Sequence, residues 1–332
     1  MPFVLFVDGP RMADDKWIAG LDANAPISAA ARLVLGVRLG VVRDRLPDAV
    51  FHADEDAEHV HQLRVATRRA GAALRIFAEC LPARLYNKTR KGLRTLRRSA
   101  GAARDCDVFL ADLRARSAKA HVKDRRGLDF LLGFAHGQRV LAQEQLRFAH
   151  AAKAEPFAEH VAAIALTLQE ARPEKKTLNE LAVPMLTDHL RELESAARAD
   201  LLNYDALHQA RILGKQVRYA MEIFAPCFAP EFRDRFYPAV VDMQDILGLA
   251  NDSHVAAERL RSLRDRLTRT EPKHWRHCQE GIEMLLGLHE RRVPQQRKKF
   301  ERWWRAWLKS GAEQAFAELI SPLSPPGERG RG

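Results

Sequence analysis

With 332 residues and 46% hydrophobic side chains, the chain can bury a substantial core, as two domains or as one large duplicated one. Only 7% of it is aromatic, and Ala, Leu and Arg dominate, which favours helix over sheet. A formal charge of +11 and a pI near 9.8 call for an anionic partner, whether nucleic acid, anionic lipid or an inorganic phosphate chain. The absence of any uninterrupted apolar run of about 20 residues argues against a transmembrane helix.

Residues 1–25 read as an N-terminal tail, punctuated by Asp8-Gly9-Pro10 and Asn24-Ala25-Pro26. Its apolar run is too short, and lacks the basic flank, for a signal peptide. Cys80, Cys106, Cys227 and Cys278 form no CxxC and read as small buried side chains in a reducing compartment, so a cytoplasmic protein without a membrane partner is expected. Pro26 opens a first helix predicted to stop at Leu46, before Pro47. The acidic turn Asp54-Glu55-Asp56 then leads into the stretch around which the chain is organised, His61 to Phe77.

On a helical wheel His61, Arg64, Arg68 and Arg75 fall within roughly 60° of one another. Leu63, Ala66, Ala70, Ala73, Leu74 and Phe77 take the opposite side, as a core face should. Such a cationic file is costly unless an anion lies against it. The next helix, about Ala83 to Ala103, carries a second file on one face, Arg90, Arg94, Arg97 and Arg104, with Gly101 placed for a close approach or a kink. Further helices are predicted over about 108–120 and 128–151, the latter ending before Pro156. Residues 171–176 read as the junction between halves, followed by a helix from about Met185 to Leu202.

The organising stretch then recurs. His208, Arg211, Lys215 and Phe224 stand 147 positions after His61, Arg64, Arg68 and Phe77, and Arg218 completes the second file. The offset persists without a gap: Cys80 maps to Cys227, Gly101 to Gly248, Asp105 to Asp252 and Leu113 to Leu260. A fixed offset over about fifty positions is the mark of a duplicated helical unit. The expected organisation is a first helical half over 26–175, a second over 176–315, and a disordered tail over 316–332. The copies are unequally charged, since Arg90, Arg94, Arg97 and Arg104 face Tyr237, Val241, Gln244 and Asn251 in the alignment. The first half should therefore hold more of an anion. Asp105 and Asp252 are read as structural, capping a helix or clamping an arginine. Trp303, Trp304 and Trp307 are read as packing the last helix onto the bundle rather than stacking bases.

No phosphate-binding GxxxxGK[ST], no GxSxG, no HExxH and no CxxC pair is present. His59 and His61 as metal ligands would be opposed by the surrounding arginines, so neither a metal nor a cofactor is expected. His61 as a phosphoryl-accepting nucleophile would need a positioned acid that the sequence does not offer. Static binding is the simplest use of these groups. Guanidinium forks match phosphate oxygens, and contacts about 5–6 Å apart along a file suit an extended phosphate chain. Each charge-assisted bond contributes ~1.5–3 kcal/mol, less where water screens it.

The paired motifs, His61-Gln-Leu-Arg64…Arg68-Arg69 with Gly101-Ala-Ala-Arg104-Asp105, and His208…Arg211…Lys215…Arg218-Tyr219 with Gly248-Leu-Ala-Asn251-Asp252, resemble the CHAD domain, the conserved-histidine α-helical domain. The resemblance spans roughly residues 26–310. It implies an all-α fold of two pseudo-twofold-related helical bundles around a central basic pore. It also implies non-catalytic binding of inorganic polyphosphate, often on polyphosphate granules. The family's histidine and basic positions carry over to His61, Arg64, Arg68, His208, Arg211, Lys215 and Arg218; Arg75, Arg90, Arg94, Arg97 and Arg104 are added from the wheel. No ExExK motif of a fused triphosphatase domain precedes the bundle. The rival expectations are a nucleic-acid-binding helical protein using the outer arginines, and a phosphohydrolase.

Overall fold

The computed structural model describes residues 16–172 and 175–320, and the description that follows is of these. They form nine α-helices and no strand: α1 Ile27–Phe51, α2 Glu58–Ile76, α3 Ala83–Ser117, α4 Val122–Glu170, α5 Leu178–Ala197, α6 Tyr204–Phe224, α7 Tyr237–Thr270, α8 Pro272–Lys309 and α9 Ala312–Ile320. A 3₁₀ turn follows α2 at Ala78–Cys80, and another follows α6 at Ala225–Cys227, 147 residues on. A π-turn, Phe232–Phe236, leads into α7.

The order of elements thus repeats, α1 to α4 and then α5 to α8. In the first set α1 packs on α2 and α4, α2 on α3, and α3 on α4; in the second α5 packs on α6, α6 on α7, and α7 on α8. The sets meet through α2 against α6 and α4 against α8. Two of the contacts between them are reciprocal. Ile27 N–H donates to the Lys176 carbonyl at 3.1 Å and Leu178 N–H to the Ala25 carbonyl at 3.0 Å, closing an antiparallel bridge at Pro26 and Thr177. Where α4 crosses α8, a β-carbon on Gly127 would lie 2.4 Å from the Cys278 carbonyl, and one on Gly281 would lie 2.4 Å from that of Asp124. Residue i touching j while the partner of j touches the partner of i is the pattern a twofold relation produces. These glycines let two helix backbones meet where any side chain would hold them apart.

Apolar side chains gather in two clusters. The larger holds Leu63, Leu74 and Phe77 of α2 with Val217, Met221 and Phe224 of α6. The smaller, at the α4–α8 crossing, holds Leu113, Leu128 and Leu131 with Leu260, Ile282 and Leu285. Along α3 and α7 the switch from one cluster to the other comes just after Ala103 and Ala250, where Arg104 and Asn251 stand at equivalent places.

Several predicted boundaries are corrected. α1 runs through Pro47 to Phe51, because Leu46, Ala49 and Val50 are buried and the proline faces outward. Its last carbonyls are satisfied from α4: Gln143 Nε2 donates to the Ala49 and Val50 oxygens at 3.0 and 2.9 Å, and Arg139, itself paired with Asp107, holds the Gln143 oxygen. α4 likewise continues through exposed Pro156, since Phe157, Val161, Ile164 and Leu168 beyond it are all buried. Four such burials, at ~1.5–3 kcal/mol each, outweigh the ~3 kcal/mol that an interior proline costs. The helices expected over 83–103 and 108–120 are one continuous α3. α5 begins at Leu178 rather than Met185, set by a capping box in which Thr177 and Glu180 exchange side-chain and backbone bonds.

Nor do the tails hold throughout. Ile18 and Leu21 are buried, so the expected N-terminal tail is packed from at least Ile18, while 1–15 lie outside the described residues. At the other end Gly311, with φ 66°, turns the chain into α9, whose Phe316 and Ile320 are buried. The part of the expected C-terminal tail over 316–320 is therefore helix, and 321–332 lie outside the described residues. The three indoles pack as expected: Trp303 stacks on Trp307 at 5.3 Å, Trp304 is buried, and Trp307 meets Phe316 edge-on.

Candidate functional site

α2 and α6 turn their apolar faces into the larger cluster and leave their cationic files on the other side. The files converge. The four charges that bear hardest on Lys215 of α6 are Arg68, Arg211, Arg64 and Arg218, two from each helix. Burial, followed by these guanidiniums, pushes the Lys215 amine down to about 6. Arg68 in turn feels Arg64 and Arg218 and reaches the hydroxyl of Tyr219. Burial first, and then Arg104, Arg64 and Arg68, hold the His61 imidazole below its ordinary value, against the pull of Glu58. Among the described residues no carboxylate forms an ion pair with Arg68 or Lys215.

Buried nitrogens at this place lack partners: His208 Nδ1, Arg211 Nε and Arg218 Nε. Unpaired buried donors are expensive, about 1–3 kcal/mol each, so such a cluster is poised for a ligand carrying acceptors. Tyr204, stacked on His254 at 3.4 Å, lies against the His208 ring at 5.9 Å and orients it. No three His, Cys, Asp or Glu side chains among the described residues come together as metal ligands would require.

Each remaining candidate has a distinct place. Arg104 of α3 sits beside His61, half-buried. Arg64 is clamped: its guanidinium donates to Asp105 at 2.7 Å and to the Gly101 carbonyl at 3.0 Å, and a β-carbon on Gly101 would come within 3.2 Å of it. Gly101 thus serves close approach and not a kink, and Asp105 is the clamp. The equivalent Arg211 has Asp252 nearby, yet Asp252 accepts instead from Asn251 at 3.2 Å. Arg97 lies between the central group and the outer cations, in the fields of Arg75, Arg94 and Arg98 as well as Arg64. Arg75, Arg90 and Arg94 reach solvent; Arg90 lies over the Tyr86 ring, and Arg75, held below its ordinary value chiefly by burial, feels both Arg90 and Tyr219 of the centre.

The geometry also assigns parts to two residues that the sequence reading left out of the site. Tyr219 carries Arg218 on its ring face at 4.9 Å. Glu222, the counterpart of Arg75, is buried and accepts from Arg69 Nε at 2.8 Å and from the Tyr237 hydroxyl at 2.9 Å. The signal for both was a mismatch inside the repeat, Tyr for Ala72 and Glu for Arg75.

The model of the CHAD domain matches residues 35–261, about two-thirds of the chain and both histidine-led helices. The chain belongs to the CHAD domain family. Among solved structures, the CHAD domain from the plant Ricinus communis is similar at a TM-score of 0.69 and 21% identity, over 88% of this chain and 96% of that one. PptA from Streptomyces chartreusis is similar at 0.63 and 18%, over 85% and 100%. At these identities the two structures share the fold. No curated protein sequence matches the chain. Within the matched residues, α2 and α6 carry His61 and His208 near their N-terminal ends, and their cationic faces are the ones described above. No helix among the described residues is long and apolar enough to cross a membrane.

Proposed function

We propose that this CHAD domain binds inorganic polyphosphate, without turning it over, in a trough lined by the two histidine-led files. The observation that carries the reading is Lys215, set among Arg64, Arg68, Arg211 and Arg218 with no carboxylate to neutralise it. Like charges held this close in a half-buried site cost stability unless a polyanion offsets them. A phosphate chain presents charge and acceptors at every unit, which suits a ridge of forks better than a single small anion does. The family's association with polyphosphate supports the reading, and granule association is proposed with it. The outer arginines of α3 keep nucleic acid as the competitor to exclude.

Calorimetric titration with polyphosphate of defined length tests the proposal. Arg64→Ala and Arg211→Ala are each expected to weaken binding, and the double variant to weaken it beyond either alone. Wild-type affinity in the double variant at moderate salt contradicts the trough. Unlabelled DNA or RNA should displace polyphosphate poorly; ready displacement favours a nucleic-acid site. Incubation with polyphosphate or triphosphate, with and without divalent metal, should release no phosphate, and release would make the chain a hydrolase.

A further inference from the structure

The halves repeat each other at the head of the site, His61 with His208 and Arg64 with Arg211, and diverge beyond it: Arg218 stands where the first half has Gly71, and the edges differ more. On the first half the cations continue outward. Arg97 lies in the fields of both Arg64 and Arg75, and Arg75 lies in that of Arg90, so charge runs without a break from the centre onto the exposed face of α3. Arg75, Arg90, Arg94 and Arg97 form no ion pair with a carboxylate among the described residues. On the second half the same positions are sealed. Gln244, in place of Arg97, is buried and donates to the Arg211 carbonyl at 3.3 Å, packed so closely on Gly214 that a β-carbon there would lie 2.2 Å from its amide nitrogen. Glu222, in place of Arg75, and Tyr237, in place of Arg90, are buried and hydrogen-bonded to each other. Val241 stands where Arg94 would. Gln244, Glu222 and Tyr237 are buried, Glu222 is taken up by Arg69 and Arg38, and the cation that Lys16 sets over the Tyr237 ring belongs to another segment, so this half has no row of arginines to match the first.

We propose, resting on the polyphosphate reading, that the site is one-sided: a chain gripped at the centre leaves only over the first half, along the lane of Arg97, Arg94, Arg75 and Arg90. The twofold relation that shapes the fold is broken in the ligand. A short oligophosphate fills the centre alone, while a long chain engages centre and lane together. The lane therefore selects for chain length, and it gives the bound chain a direction with respect to the protein.

The test compares tripolyphosphate with long-chain polyphosphate on three proteins: wild type, the lane variant Arg75→Gln/Arg90→Gln/Arg94→Gln, and the central variant Lys215→Gln. The lane variant is expected to lower the ratio of long-chain to tripolyphosphate affinity by about tenfold. With three cations removed at ~0.7 per neutralised phosphate on a flexible strand, its long-chain salt slope should be shallower by about two. The central variant should weaken both ligands and leave the ratio near that of wild type. Thermal melts check that each variant is folded, which matters most at Arg90, since it lies over the Tyr86 ring. An unchanged ratio in the lane variant overturns one-sidedness while leaving central binding standing. A wild type that binds neither ligand overturns the underlying reading and the lane with it.

Discussion

At position 75 an arginine of the first half reaches solvent, while at its counterpart, 222, a glutamate is shut inside the protein between Arg69 and Tyr237. The equivalent helix, at the same turn, presents an exposed cation in one half and ties the halves together in the other. Arg69 belongs to α2 and Glu222 to α6, so the pair bridges the halves. The two files stand 147 positions apart, and one position of the second has a structural task. The centre, where His61 and His208 and their following arginines remain alike, is the part that both copies still share.

The largest effect expected from breaking this comparison is at Glu222. Replacing it by Gln leaves Arg69 without its buried carboxylate. The buried Arg38, 3.9 Å from the same carboxylate, loses it too, so the cost should fall within the ~3–5 kcal/mol typical of a broken buried pair. Arg75→Glu, the equivalent exchange in the first half, should move stability by no more than ~0.5 kcal/mol. Denaturant melts of the two variants give both values, and equal costs would mean that the halves do not differ as described.

Next in size come the glycines of the α4–α8 crossing. Gly127→Ala and Gly281→Ala each force a β-carbon to within 2.4 Å of a backbone oxygen and should destabilise by about 1–3 kcal/mol. Because the contact is reciprocal, the two costs should agree; a large difference would show that the twofold relation fails there. Gly101 and Gly248 sharpen the comparison in the opposite sense. Nothing lies within 4 Å of a β-carbon on Gly248, so Gly248→Ala should stabilise by ~1 kcal/mol through helix propensity. Gly101→Ala should gain less, because its methyl crowds the Arg64 guanidinium, and it should also weaken anion binding.

The remaining effect is a matter of pH, and its size depends on where in the range it is read. Lys215 is held near 6 in the folded protein, well below the ~10.4 of an unfolded lysine. Between those values the unfolded state binds the extra proton, so stability rises with pH across the window. The cost of the buried amine is greatest below pH ~6 and fades toward ~10. Lys215→Met should therefore raise the melting temperature of the ligand-free protein at pH 6–7, and the gain should shrink toward pH 10. A polyanion restores the charge on the amine, so binding near pH 8 should take up a proton in wild type and none in the variant. Titrations in buffers of different ionisation enthalpy read that proton directly.

Much of the site was legible in the sequence because a helical file is local: His61, Arg64 and Arg68 are fixed relative to one another by helix geometry alone. The offset between copies announced the second file, and the two 3₁₀ turns kept it to the residue. What escaped was decided between distant segments. The bond between Arg69 and Glu222 joins residues 153 apart. Pro47 and Pro156 suggested breaks that buried neighbours on their helices override. Gly101 left a close approach and a kink both open, since nothing local says that an arginine 37 residues earlier lies against it.

The account depends on the two files forming one site and not two. Titration of wild type with tripolyphosphate decides the matter through its stoichiometry. One equivalent bound per chain, reduced in affinity by either Arg64→Ala or Arg211→Ala, is the predicted result. Two equivalents, each sensitive to only one of those substitutions, would contradict it.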